Sequence, residues 1–176
     1  MRYLIALLLL CSFSARSQNI TGDDIKTQFI KDWERAKAYT LDYLSAMPAD
    51  KYSFKAVDSI RSFAQQMLHL SSGTYYLIST ANGQSEPAVA RDLEKRPGAQ
   101  SRDSVVYYVT ASYDYALDML KNLDPSTLGA MIGQGNRAVT KYALLLKAFE
   151  HQTHHRGQTT IYIRLLGIRP PNERLF

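Results

Sequence analysis

The chain has 176 residues, of which 45% are hydrophobic, and carries 21 Lys and Arg against 16 Asp and Glu. That length favours one domain with enough apolar mass for its own core. The basic excess forms no stripe interleaved with aromatics, which argues against nucleic-acid binding, and a single cysteine, Cys11, excludes a disulfide framework.

The opening string MRYLIALLLLCSFSARSQN places Arg2 ahead of an apolar run over residues 3–10, then small and polar residues. This is the order of parts in a secretory signal. Ala15 and Ser17 put small residues at −3 and −1 of a cut before Gln18. The apolar run falls well short of the ~20 residues needed to span a bilayer. A lipoprotein signal at Cys11 is disfavoured because Leu10 stands where a small residue is expected. The expectation is therefore a signal peptide over residues 1–17 and an exported, periplasmic domain over 18–176. Cleavage removes Arg2, Arg16 and Cys11, which leaves a net charge of about +3 and no thiol for catalysis or metal binding. No later segment is apolar enough to cross a membrane.

Apolar residues then recur at helical spacing, and strand-like alternation is scarce. The first helix is predicted to open at Thr21 as N-cap and to run to Met47, with Ile25, Phe29, Trp33, Ala36, Tyr39 and Tyr43 on one face. A polar connector follows, in which Asp58 and Ser59 are expected to cap a second helix from Ile60, its buried stripe formed by Ile60, Phe63, Met67, Leu70 and Leu77. The Gly- and Pro-punctuated stretch ANGQSEPAVARDLEKRPGAQSRD reads as a long crossover loop with one short helical turn. A third helix in SVVYYVTASYDYALDMLKNL aligns Val105, Tyr108, Ser112, Tyr115 and Met119. DPSTLGAMIGQGNR reads as irregular. The last and longest helix is predicted from about Val139 to Leu166, stopped by Gly167 and by Pro170 and Pro171. Four helices with one extended crossover give an all-α four-helix bundle.

Three of the four histidines fall inside EHQTHHRGQTTIYIRLLGIRPP, residues 150–171. Residues four apart stack on one helix face. His151 and His155 continue a stripe with Leu144, Ala148 and Tyr162, whereas His154 leans off it. His69 lies in or beside the buried stripe of the second helix, a face that a bundle turns toward the last helix. Imidazoles suit zinc, nickel and other late divalent ions, and bundle cores are a place where such sites are built. Spacing alone leaves a second reading open, in which His69 is a satisfied core histidine and the cluster a partly exposed cap.

Three segments, EHQTHHRGQTTIYIRLLGIRPP, AMPADKYSFK and RSFAQQMLHL, resemble in order and spacing the DinB-like family of metal-binding four-helix bundles, over roughly residues 25–171. The resemblance implies a DinB-like bundle in which His69, His151 and His155 hold a divalent metal ion, zinc or nickel, with His154 outside the ligand set. It also implies a small-molecule substrate, of unidentified kind, and is compatible with a homodimer through exposed helix faces. Characterised relatives are implied to be thiol-dependent transferases and isomerases, and others are taken as hydrolases. Apparent export removes this chain from the cytosolic thiols and tilts the expectation toward hydrolysis or a non-catalytic metal-binding or stress-associated module. No catalytic group beyond the ligands is identified, since Glu150 adjoins His151 but projects elsewhere, and Ser72 and Gly73 are read as a turn after His69. Gly157 is expected to admit a neighbouring helix, Arg156 and Gln158 to tie helices or support ligands, with Gln158 the one facing the ion. Tyr162 and Tyr76 are weaker candidates for a hydroxyl near substrate.

Overall fold

The structure is a computed structural model that describes residues 19–176; the expected signal peptide lies outside the described residues. Helix α1 spans Gly22–Ala46, and its start is fixed by a reciprocal capping box between Thr21 and Asp24. Helix α2 spans Phe63–Ala81, α3 Arg102–Lys121 and α4 Lys141–Leu165. Helices α1 and α2 each pack against both α3 and α4, and the tightest pairing is α2 with α4, the two histidine-bearing helices. The all-α four-helix bundle expected from the periodicity is the observed architecture.

Helix α2 starts later than its sequence suggested. Ser62 caps it, with Gln65 completing a capping box, and Ile60 lies outside the helix and is exposed. The preceding connector is clamped onto this start: Ala64 N–H donates to the Tyr52 carbonyl at 2.8 Å and Phe63 N–H to that of Phe54 at 3.0 Å. Those two bonds satisfy donors that a helix N-terminus otherwise leaves free. The crossover between α2 and α3 holds three 3-10 turns, Ala88–Ala90, Leu93–Lys95 and Pro97–Ala99, where one was expected. Each buries an apolar residue, Ala90, Leu93 or Ala99. The Gly-rich stretch before α4 is also more ordered than its composition implied. There β1 (Met131–Ile132) pairs antiparallel with β2 (Val139–Thr140), and Thr140 caps α4. Helix α4 is 25 residues long, the same length as α1.

The core stripe of α1 is as read, with Phe29, Trp33, Ala36 and Tyr43 buried and Ile25 and Tyr39 packed at its edge. On α3 the buried face is turned from the predicted one: Val109, Tyr113, Ala116, Leu117 and Leu120 join Val105 and Ser112, while Tyr108, Tyr115 and Met119 lie at the margin. Trp33 is fully buried and meets Tyr113 and Phe149 edge-on, at centroid distances of 5.6 and 5.8 Å. Trp33→Ala is expected to cost ~3–5 kcal/mol in a urea titration. Trp33→Phe should cost far less, because the indole N–H it removes has no hydrogen-bond partner.

Candidate metal centre

The α2–α4 seam brings His69, His151 and His155 together, each offering one nitrogen within 4.8 Å of the others. Ring centroids are 5.4 Å apart for His69 and His151, 4.5 Å for His69 and His155, and 4.4 Å for His151 and His155. His155 is buried, while His69 and His151 are half-buried. The face argument from sequence therefore holds: His154 is exposed and turns away, its Nε2 lying 2.9 Å from the Gln158 amide.

Room for this convergence comes from Gly73. It lies inside α2, one turn beyond His69, and not in a turn as the sequence suggested. A Cβ placed there would stand 2.0 Å from Cε1 of His151 and 2.6 Å from both of its ring nitrogens. The imidazole of His151 thus occupies the space that any larger residue at 73 would fill. Gly157 does not do the job expected of it, since a Cβ there would meet nothing within 4 Å.

The distal nitrogens are held differently. The Gln66 side-chain amide lies 2.8 Å from His155 Nδ1, both groups being buried. The atom placed there is the amide nitrogen Nε2; a 180° flip of the amide, which interchanges two atoms alike in shape, brings Oε1 to Nδ1–H and leaves the Nε2 lone pair of His155 free for an ion. His69 Nδ1 lies 3.3 Å from Oε2 of Glu94, an acid supplied by the Leu93–Lys95 turn of the crossover. Arg61 grips the same carboxylate, Nε on Oε2 and Nη2 on Oε1. Nδ1 of His151 is buried with no hydrogen-bond partner. An unpartnered buried polar atom calls for an explanation such as an ion.

Electrostatics keep this set neutral. Burial pushes His155 down to about 3 and His151 down to about 4, and the neighbouring imidazoles add to the effect. Burial also lowers His69, helped by Arg61 and opposed by Glu94. At Glu94 burial acts upward, but the Arg61 hydrogen bond and the charges of His69 and Arg61 outweigh it and hold the carboxyl below its usual value. Neutral imidazoles are the form that binds metal. The donor set, its spacing, the orphaned nitrogen and the neutral state all fit a divalent ion.

Beside the cluster opens a cleft of about 800 Å3. Gln66 and Glu94, the partners of His155 and His69, form part of its wall, with Arg61, Lys55, Ile161 and Tyr162 around them. Tyr162 is not a free hydroxyl: it donates to the Arg61 carbonyl at 2.7 Å. Tyr76 is on the surface. Gln158 borders the cleft but is engaged with His154, so the glutamine that supports a candidate ligand is Gln66. Arg156 ties helices together, as anticipated, donating to Gln152 Oε1 at 2.8 Å and Thr40 Oγ1 at 3.3 Å beneath the Tyr39 ring.

Sequence reading passed over Gln66 and Glu94 and took Gly73 for part of a turn, where the structure has it inside α2. Gln66 stands three residues before His69 on the same face, a signal available from spacing alone. Glu94 sits in a segment without periodicity and carried no such signal.

Comparison with known proteins agrees with the helical-bundle fold. The DinB family's sequence profile matches residues 17–174. The fold is similar to that of a DinB-like protein from Bacillus cereus ATCC 10987, with TM-score 0.71 and 18% identity, covering 84% of this chain and 96% of that one. It is also similar to a DinB-like protein from Bacillus subtilis, with TM-score 0.62 and 22% identity over 85% and 96% of the two chains. A conserved protein from Enterococcus faecalis aligns with TM-score 0.67 and 16% identity over 81% and 98%. At such identities the likeness establishes the fold alone. No curated protein matches the sequence.

Proposed function

The chain belongs to the DinB family, and on that premise we propose that it is an exported metal-dependent hydrolase acting on a small molecule. His69, His151 and His155 hold one divalent ion, zinc or nickel. The observation that carries the reading is the convergence of three neutral imidazoles beside an open cleft, with His151 Nδ1 buried and unpaired.

Three uncharged ligands would leave a divalent ion its full charge, and with it Lewis acidity, one residue behind the cleft wall that Gln66 and Glu94 form. The chain's own groups set the surroundings. Gln66 and Glu94 touch the distal nitrogens of His155 and His69. Ile60, Ile161 and the Tyr162 ring give the cleft an apolar side; Lys55, Arg61 and Lys95 give it cations beside the acids Asp58 and Glu94, with Arg61 paired to Glu94 and Lys95 to Asp92. Such a lining suits a compact substrate with an apolar body and an acidic or strongly polar end. The same cations favour, as a second reading, an acid-bearing thiol and a thiol-transfer reaction. Export rests on the N-terminal string and is tested by the mass of the chain recovered from periplasmic extract.

The primary test is the metal content of protein purified without a histidine tag, by elemental mass spectrometry. About one zinc or nickel per chain is expected. His69→Ala and His151→Ala should each lose it, whereas His154→Ala should keep it. Retention by both of the first two variants would sink the ligand assignment. On loaded protein, turnover of ester or amide substrates without added thiol supports hydrolysis. Activity strictly requiring a thiol supports the second reading.

A further inference from the structure

We propose that Glu94 is a positioning residue for the metal centre, holding His69 so that its other ring nitrogen faces the ion; the inference rests on the three-histidine reading above. The crossover loop, which carries no ligand of its own, then helps set the affinity of a site built on α2 and α4.

Glu94 uses its two oxygens unequally. Oε1 takes only Arg61 Nη2, at 3.3 Å, whereas Oε2 is shared between Arg61 Nε and His69 Nδ1. An Arg–Glu pair serving the surface alone has no need to lie against an imidazole. The turn that presents Glu94 is also fixed more firmly than a surface pair requires. Leu93 is fully buried, Asp92 takes a left-handed backbone at φ 54°, and Gln100 Nε2 donates to the Glu94 carbonyl at 3.0 Å. On the facing helix, Ser72 Oγ donates to the Ala90 carbonyl at 2.8 Å and pins the loop to α2 one turn from His69.

A histidine that binds metal commonly gives its second N–H to a carboxylate or carbonyl, which fixes the tautomer and raises the basicity of the ligating nitrogen. Here Nδ1 of His69 lies against the Glu94 carboxylate and Nδ1 of His155 against the Gln66 amide, whereas the unpaired Nδ1 of His151 is the nitrogen left for the ion. Glu94 is thus the charged member of the supporting set. Arg61 maintains that role by holding the carboxylate in place, and Tyr162 anchors Arg61 by donating to its carbonyl.

The test is zinc affinity, measured by competition with a chromogenic chelator at neutral pH, on the untagged parent chain, Glu94→Gln, Glu94→Ala and the control Asp92→Asn. Glu94→Gln keeps a neutral acceptor and should weaken zinc about tenfold, and Glu94→Ala by up to ~100-fold, the range typical of such outer partners. Metal-free melting temperatures should stay near that of the parent, and Asp92→Asn should bind as the parent does. The graded order Glu, Gln, Ala is the signature that a purely structural role would not produce. Should Glu94→Ala fail to fold, the near-isosteric Gln variant still decides. Equal zinc affinity in the parent and both Glu94 variants overturns this proposal alone, and so does an affinity loss that Asp92→Asn shares. A parent chain that binds no zinc overturns the three-histidine reading and this inference with it.

Discussion

Gly73→Ala is expected to abolish zinc binding while leaving the fold close to native. In a helix interior, glycine-to-alanine substitution ordinarily stabilises by ~1 kcal/mol. At position 73 the added methyl would arrive 2.0 Å from His151 Cε1, and the nearest atoms it meets all belong to that ring. The three nearest atoms are the end of one side chain, so the strain is relieved by swinging the imidazole out of the seam. The helix keeps its alanine and the site loses one of three donors. Since disturbing an outer partner of a metal ligand already costs ~10–100-fold, losing a ligand should cost at least ~100-fold in zinc affinity. Gly157→Ala is the matched control on α4. Its Cβ would meet nothing, so it should retain zinc and gain up to ~1 kcal/mol in stability. The pair is read by chelator competition together with thermal melts of metal-free protein. Parent-like zinc affinity in Gly73→Ala would show that His151 does not need the position it occupies.

The contrast between these glycines shows where sequence reading stops. Periodicity placed the bundle, the α1 stripe and the face shared by His151 and His155, because each depends on spacing within one helix. It misjudged Gly73 and Gly157, because a glycine's purpose is set by what lies opposite, on another helix. The start of α2 was legible but misread: Ser62 and Gln65 form the capping box in plain sequence, yet Asp58 and Ser59 drew attention first. Glu94 was out of reach. It meets His69 only because buried Leu93 and the bond from Ser72 to the Ala90 carbonyl fold the crossover back onto α2. The offset α3 face has a similar origin. Tyr113 is drawn into the core to meet Trp33 and to donate to Gln152 Oε1 at 2.7 Å, and this choice rotates the helix away from the stripe that hydropathy favours.

Mild acid should destabilise the metal-free protein well before its ordinary carboxylates titrate. A free imidazole binds its proton near pH 6.5. In the folded chain burial holds His151 back to about 4 and His155 to about 3, and His69 is lowered as well. Above pH 6.5 both folded and unfolded states carry these histidines neutral, so they contribute no slope. Between 6.5 and the folded values the unfolded state binds more protons, and stability therefore falls as pH falls. Each histidine contributes at most ~1.4 kcal/mol per pH unit, and less where solvent screens it. His155, the most buried of the three, should account for the largest part. Melts of chelator-treated protein at pH 7.5, 6.5, 5.5 and 4.5 should show the decline beginning near 6.5. His155→Gln should flatten it, and the exposed His154→Ala should not. With zinc at about a thousandfold its Kd, the protein should gain ~4 kcal/mol at neutral pH. That gain should shrink in acid as protons compete for the same nitrogens. A flat metal-free profile from pH 7.5 to 5 would mean that the three rings are hydrated and free to charge, as in a surface cluster. A profile that falls from 6.5, with a zinc increment disappearing over the acid range, requires imidazoles kept neutral by the bundle and facing a common ion.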